Sequence, residues 1–264
     1  MYEIEKEKPL FAEERKKQIV AVIRDRKKVT VPFLCDFFKV SPATIRNDLA
    51  ELENIKLIKR THGGAIDLSQ TGYEPSSNEK KVKNLHLKKA IAKESVKFIE
   101  DNDIIILDAG TTTIELAKLL HGYSNLTVVV NDITIAQYLE NIDGVNIILI
   151  GGAIRKKQHC AVGPIASKIL NELSVDKVFL GTNGFTLERG CTTPDMNQAE
   201  IKEIMVKIAS KVFVLCDSSK FGNTSFSQFA PPSLIDVLIT DHEVEKDYYE
   251  SLTKEIPKTI IAYE

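Results

Sequence analysis

A winged helix-turn-helix head followed by a mostly parallel α/β domain is the fold class this sequence predicts. Three features predict it. A capped amphipathic helix beginning at Ser41 carries small and hydrogen-bonding side chains opposite its apolar stripe. A strand with a Gly-Gly turn follows it directly. Beyond Asp103, short runs of consecutive apolar residues alternate with helical patterns, as parallel strands covered on both faces do.

The bulk properties permit this. A chain of 264 residues has room for two domains. With 43% hydrophobic and 27% charged residues it reads as globular and not disordered. No apolar run is long enough to span a bilayer, and the charged start MYEIEKEKPL lacks a signal-peptide core, so a cytoplasmic protein with no membrane partner is expected. Cys35, Cys160, Cys191 and Cys216 are far apart, as are the five histidines, so neither a disulfide framework nor a metal site is expected. Residues 1–66 hold 14 Lys+Arg against 10 Asp+Glu, and the remainder 21 against 27. A mildly basic front on an acidic body suits a nucleic-acid-binding head, although ordinary variation in surface charge explains the same numbers.

Residues 12–27 read as a helix buried through Ile19, Val20 and Ile23. Lys28–Val31 is a short extended stretch. Pro32 starts a second helix after Thr30, buried through Phe33, Leu34, Phe37 and Phe38. Ser41 is an N-cap with Pro42 at the first helical position. Ile45, Leu49 and Leu52 then share one buried face, leaving Ala43, Thr44, Arg46, Asn47 and Ala50 on the other. Such side chains can meet base edges and phosphates. Residues 54–62 close this helix and run into a strand through Lys59, Arg60 and His62, and Gly63-Gly64 makes the turn, with Lys59 and Arg60 placing positive charge beside the DNA backbone. The alternative is a small helical module for protein contacts.

Residues 67–79, DLSQTGYEPSSNE, are polar with Gly, Pro and Ser and read as an exposed linker between a head of residues 1–66 and a second domain of residues 80–264. A helix is expected from about Lys80 to Glu100, striped by Ile91, Ala92, Ser95, Val96 and Ile99. Strands are then expected at residues 104–107, 126–130, 146–150, 177–180 and 212–216, with two more at 234–239 and 258–262.

Ligands of open α/β sheets bind beyond the carboxyl ends of the strands. Those ends carry Asp108, Gly110, Thr111, Thr112, Thr113, Asn131, Gly151-Gly152, Gly181, and Asp217 with Lys220. Gly followed by three threonines at a helix start offers backbone N–H groups and hydroxyls to a phosphate. Arg155 and Lys220 add positive charge, and Asp108, Asn131 and Asp217 suit sugar hydroxyls. Plain N-capping and tight turns account for each feature singly. Neither a G-x-G-x-x-G nor a G-x-x-x-x-G-K-[ST] run is present, so a dinucleotide or nucleoside triphosphate is not expected, nor any other cofactor. Lys88-Lys89, Lys156-Lys157, Glu243 and Glu245 read as solvated charge. Asp108, Asp217 and Lys202 are formal acid–base candidates, but no Ser/His/Asp or Cys/His arrangement emerges, and His159-Cys160 are adjacent, a poor geometry for a nucleophile and its base.

Nearly the whole length resembles the DeoR-type family of bacterial transcriptional regulators, most often repressors of sugar-catabolic operons. The resemblance rests on VSPATIRNDLAELENIKLIKRTHGGA in front and on DAGTTT, VVN, GGAIR, VGP, LGTNG, TTPD and CDSSKFG behind, in family order. It implies a second domain similar to ribose-5-phosphate isomerase and glucosamine-6-phosphate deaminase that senses a phosphorylated sugar. It also implies double-stranded operator DNA as partner, a homodimer or homotetramer, and no catalysis. By position, Asp108, Gly110, Thr111, Thr112 and Thr113 would hold the phosphate. Asn131, Gly152, Arg155, Lys202, Asp217 and Lys220 would complete the effector site. Ser41, Ala43, Thr44, Arg46, Asn47, Lys59, Arg60, His62, Gly63 and Gly64 would face DNA. The family often has a second Arg where this chain has Asn47, and Asn can read adenine bidentately. A phosphosugar isomerase or deaminase fused to a DNA-binding head is the alternative.

Overall fold

In the computed structural model, residues 11–26, 28–55, 57–67 and 74–264 are described. The charged start, Lys27, Lys56 and linker residues 68–73 lie outside them. The chain divides into two compact units, Met1–Tyr73 and Glu74–Glu264.

The first unit is built from α1 (Ala12–Arg26), β1 (Lys28–Thr30), α2 (Val31–Phe38), α3 (Pro42–Asn54), β2 (Ile58–Thr61) and β3 (Gly64–Asp67). Both short helices start as the sequence predicts. The Thr30 hydroxyl accepts from the Phe33 N–H and the Ser41 hydroxyl from the Thr44 N–H, each with Pro in the first turn. Lys39, in the left-handed region at φ 52°, ends α2 and turns the chain towards α3. Ile19, Ile23, Leu34, Ile45, Leu49 and Ile58 form the core. Strand order β1-β3-β2, all antiparallel, makes the wing.

The second unit opens with α4 (Ser77–Val82) and α5 (Leu85–Ser95), the latter extended by a 3-10 turn at Val96–Phe98. The single helix expected over residues 80–100 is therefore broken. Asn84 adopts φ 54°, a conformation that short polar side chains tolerate and helices do not. The stretch read as exposed linker is helical from Ser77, fixed by a capping box between Ser76 and Glu79.

There follow β4 (Ile104–Leu107), α6 (Thr111–Ala117), β5 (Leu126–Val130), α7 (Ile133–Leu139) and β6 (Val145–Leu149). Next come β7 (Ala153–Arg155), β8 (Cys160–Val162), α8 (Pro164–Leu170), β9 (Val175–Gly181), β10 (Gly184–Thr186), β11 (Gly190–Thr193) and α9 (Met196–Ile208). The chain ends with β12 (Ala209–Leu215), β13 (Ser227–Ala230), β14 (Val237–Asp241), α10 (Lys246–Glu255) and β15 (Lys258–Ala262). Pro231 and Pro232 place a 3-10 turn at Pro232–Leu234, which starts β14 later than the apolar pattern alone suggests.

Seven strands form one wholly parallel sheet in the order β15-β14-β12-β9-β4-β5-β6. Successive residues of each strand enter opposite cores. Ile106, Val129, Val178, Leu180 and Val214 belong to one, and Ile105, Leu107, Val128, Phe179 and Phe213 to the other. The continuous apolar runs follow from this two-sided burial. Two antiparallel additions were not evident from pattern: the β7–β8 hairpin and a three-stranded sheet β10-β11-β13. Among the described residues no helix is long and apolar enough to cross a membrane.

Candidate functional site

On α3, Ser41, Ala43, Arg46 and Asn47 are exposed and Thr44 half-buried. The Ser41 and Thr44 hydroxyls lie 2.9 Å apart at the helix start. The opposite face buries Ile45, Leu49 and Leu52 as read, and also Asp48. Asp48 accepts from Arg15 through both oxygens, at 2.6 and 3.1 Å, which ties α3 to α1. At the wing, Arg60 and His62 are exposed and Lys59 is half-buried. The Arg60 N–H donates to Glu53 at 2.9 Å, so the end of α3 fixes the start of the wing. Gly63 has φ +94°, and a Cβ on Gly64 would lie 1.9 Å from the Val29 carbonyl oxygen. The turn thus needs one glycine for conformation and one for close approach.

In the second unit, β4 is the first strand of the sheet. The chain places β5 and β6 on one side of it and β9, β12, β14 and β15 on the other. The strand order therefore reverses between β4 and β9, where ligands of such sheets bind. Asp108 leaves β4 at this point and is 1% exposed. One of its oxygens, Oδ2, accepts from the Gly181 N–H at the end of β9, at 3.0 Å, and from the Lys202 ammonium in close contact. Lys202, on α9, also donates to the Gly181 carbonyl at 2.9 Å and sits 5.0 Å over the Phe229 ring. Burial pushes the Asp108 carboxyl above the usual carboxylate range, opposed by Lys202 and the Gly181 N–H.

The neighbouring strand ends extend the cluster. Asn131, after β5, is 1% exposed and donates through Nδ2 to the Ala161 carbonyl at 3.0 Å. Two side-chain oxygens here, Asp108 Oδ1 and Asn131 Oδ1, are buried with no hydrogen-bond partner among the described residues. The Thr113 hydroxyl donates to the Asp108 and Gly110 carbonyls, so its proton is committed to the loop itself. Thr112 is 7% exposed, while Gly110 and Thr111 are half-buried. Gly152 lies at φ +156°, packed against Val162 and Ala166. Asp217, after β12, accepts from Asn84 at 3.1 Å and Ser219 at 2.5 Å, with Lys220 at 3.6 Å. Burial works to raise the Asp217 carboxyl, but Lys220 and these donors outweigh it and hold it below its ordinary value.

Arg155, on β7, donates to Gln198 at 2.7 Å and to Glu74 at 2.9 Å, with Asp195 at 3.5 Å. Gln198 and Lys202 stand one turn apart on α9, which joins the Arg155 group to the Asp108 group. Glu74 also meets Lys80 at 2.6 Å and Asn183 at 3.3 Å, and its side chain is 5% exposed. Burial works to raise the Glu74 carboxyl, yet Lys80 and Arg155 outweigh it and keep it below its ordinary value. Glu74 lies in the polar stretch whose composition predicts an exposed linker, and no periodic signal marks it.

Lys88 corrects a second reading. It is 4% exposed rather than solvated, and donates to the Lys80 and Lys83 carbonyls at 2.5 and 2.6 Å. Desolvation lowers its ammonium to about 8. The signal was present, because Lys88 precedes Ile91, Ala92 and Ser95 at helical spacing on the buried stripe. Burial pushes the Cys160 and Cys191 thiols up to about 12, so neither is a thiolate near neutrality.

The sequence pattern of the DeoR-like helix-turn-helix domain matches residues 15–71, and that of the DeoR C-terminal sensor domain matches residues 83–242. The chain belongs to the DeoR family. It is thus a helix-turn-helix transcriptional regulator, with a DeoR-type head and a DeoR-type sensor domain. It is 39% identical over 239 residues to the HTH-type transcriptional regulator GlpR of Haloferax volcanii, covering 90% of this chain and 93% of that one. It is 34% identical over 243 residues to a putative aga operon transcriptional repressor of Escherichia coli O157:H7, covering 91% and 90%. Among solved structures, a ribose-5-phosphate isomerase in complex with phospho-erythronic acid is similar in part. That match has 22% identity and a TM-score of 0.40, over 52% of this chain and 54% of the isomerase.

Proposed function

We propose that this DeoR-type regulator represses a sugar-catabolic operon and that a phosphorylated sugar, bound at the strand-end cluster, weakens its hold on operator DNA. The observation that carries the effector class is the pair of buried acceptors, Asp108 Oδ1 and Asn131 Oδ1, which have no hydrogen-bond partner among the described residues, at strand ends that also hold Lys202 against Asp108, Lys220 beside Asp217 and Arg155 on Gln198. Buried acceptors gain from hydroxyl donors, and the cations with the Gly110–Thr112 backbone suit a phosphate. A phosphorylated polyol supplies both. In the head, Ser41, Ala43, Thr44, Arg46 and Asn47 face the major groove, and Lys59, Arg60, His62, Gly63 and Gly64 grip the backbone. The Escherichia coli relative, an aga operon repressor by name, supports repression. The regulator acts in the cytoplasm as a homodimer or homotetramer on paired half-sites, and it is not an enzyme.

A thermal-shift screen of the full-length protein against sugar monophosphates tests this reading, since a ligand of the native state raises Tm. A rise without turnover is the expected result. Replacing Thr112 with Glu, which puts a carboxylate beside the phosphate position, should abolish the rise and leave DNA retardation intact. Conversion of a sugar phosphate to product would favour an isomerase or deaminase instead.

A further inference from the structure

We propose that Glu74 is a tethered stand-in for the effector's anionic group. Its carboxylate occupies an anion subsite made by Arg155, Lys80 and Asn183, and a phosphate displaces it. The inference rests on the phosphosugar reading above and adds how that site is regulated.

The subsite is defined by donors. Glu74 takes a charge-assisted bond from Arg155 at 2.9 Å, another from Lys80 at 2.6 Å and an amide hydrogen bond from Asn183 at 3.3 Å. The Arg155 guanidinium is itself held in place by Gln198 and Asp195. An oriented guanidinium with a neighbouring ammonium and an amide is the donor set that recognises phosphate oxygens, and a carboxylate is the closest side-chain mimic of that ligand. The subsite is contiguous with the strand-end ring through Gln198 and Lys202 on α9.

Two features make Glu74 a competitor and not simply a structural ion. It enters from a short segment at the very start of the sensor unit, so it competes as a tethered ligand at high effective concentration. A phosphate monoester carries more negative charge than the carboxylate it would replace, which favours exchange in a cluster of cations. Glu74 is one of several ties on this segment, alongside the Ser76–Glu79 capping box. The segment's other ties include the Ser77 N–H to the Lys157 carbonyl at 2.8 Å and Lys88 to the Lys80 and Lys83 carbonyls. Displacing Glu74 removes its bonds to Arg155, Lys80 and Asn183 and so loosens residues 74–83, the stretch that directly follows the last residue of the head unit in sequence.

The test uses the full-length protein, with inorganic phosphate and a panel of sugar monophosphates as probes. Calorimetry should show Glu74→Gln binding phosphate at least fivefold more tightly than wild type. In wild type, phosphate should speed amide exchange across residues 74–83. Glu74→Asp, which withdraws the carboxylate by one methylene, should shift affinity in the same direction and serves if the Gln variant does not fold. Equal or weaker binding by these variants, or slower exchange over 74–83 on adding phosphate, overturns the stand-in role. If wild type still binds a sugar monophosphate, the phosphosugar reading survives that result. If neither wild type nor variant binds any probe, both fall.

Discussion

Arg46 and Asn47 are adjacent and exposed on α3, while the residues flanking them, Ile45 and Asp48, are buried. That placement presents two hydrogen-bonding side chains to a groove without disturbing the helix. Arg46→Ala should weaken operator binding by about 1–3 kcal/mol if the guanidinium is bidentate to a base, and relax preference at one position. Quantitative DNA retardation with single-base operator variants checks this, and unchanged affinity would remove Arg46 from the interface. Lys88 makes a pH prediction. Its ammonium falls from an ordinary 10.5 to about 8 in the folded chain, through desolvation first, with Lys220 and Lys80 adding to it and Asp217 and Glu115 opposing. Between these values the unfolded chain binds more protons than the native one, so this group makes stability rise with pH, by at most about 1.4 kcal/mol per unit. Below pH 8 both states are protonated and the penalty of the buried charge is complete. Denaturant melts from pH 7.5 to 10.5 should show that rise in wild type and a flatter profile in Lys88→Met. Parallel profiles would show that the buried ammonium is not responsible.

Elements in the head are short, and a few backbone positions decide them. Gly64→Ala should prevent the wing from pairing with β1, because its Cβ would overlap the Val29 carbonyl. Gly63→Ala meets no atom within 4 Å and should cost only the left-handed conformation, about 1–2 kcal/mol. Circular dichroism melts should separate the two, with the folded head lost in the first and its Tm only lowered in the second. Equal behaviour would contradict the close approach. Patterns of period 3.6 and runs of apolar residues made α1, α3, β4, β5, β9 and β12 readable, because burial dictates those patterns. The α4–α5 break hinges on Asn84 and a hydrogen bond to distant Asp217, which no local pattern announces. The β7–β8 and β10–β11 hairpins are only three or four residues per strand and carry little periodicity. Asp48 and Lys88 sit on apolar stripes although both carry charge. Partners far away in sequence, or backbone carbonyls, make their burial tolerable.

At the scale of the whole molecule, membership of the DeoR family joins a DNA-reading head to a sensor domain. The strand-end residues Asp108, Asn131 and Asp217 were legible because topology sends strand ends to one edge of the sheet. The buried placement of Glu74 was not, because it depends on where Arg155 and Lys80 lie. In the proposed mode of action, occupancy of the strand-end cluster changes operator affinity. The direct measurement is a fluorescence-anisotropy titration of the full-length protein on DNA from upstream of its own gene, with and without each sugar monophosphate. At least one compound should weaken binding by about 5- to 150-fold, the usual range of coupling between two sites. Operator affinity indifferent to every sugar phosphate that raises Tm would contradict the account.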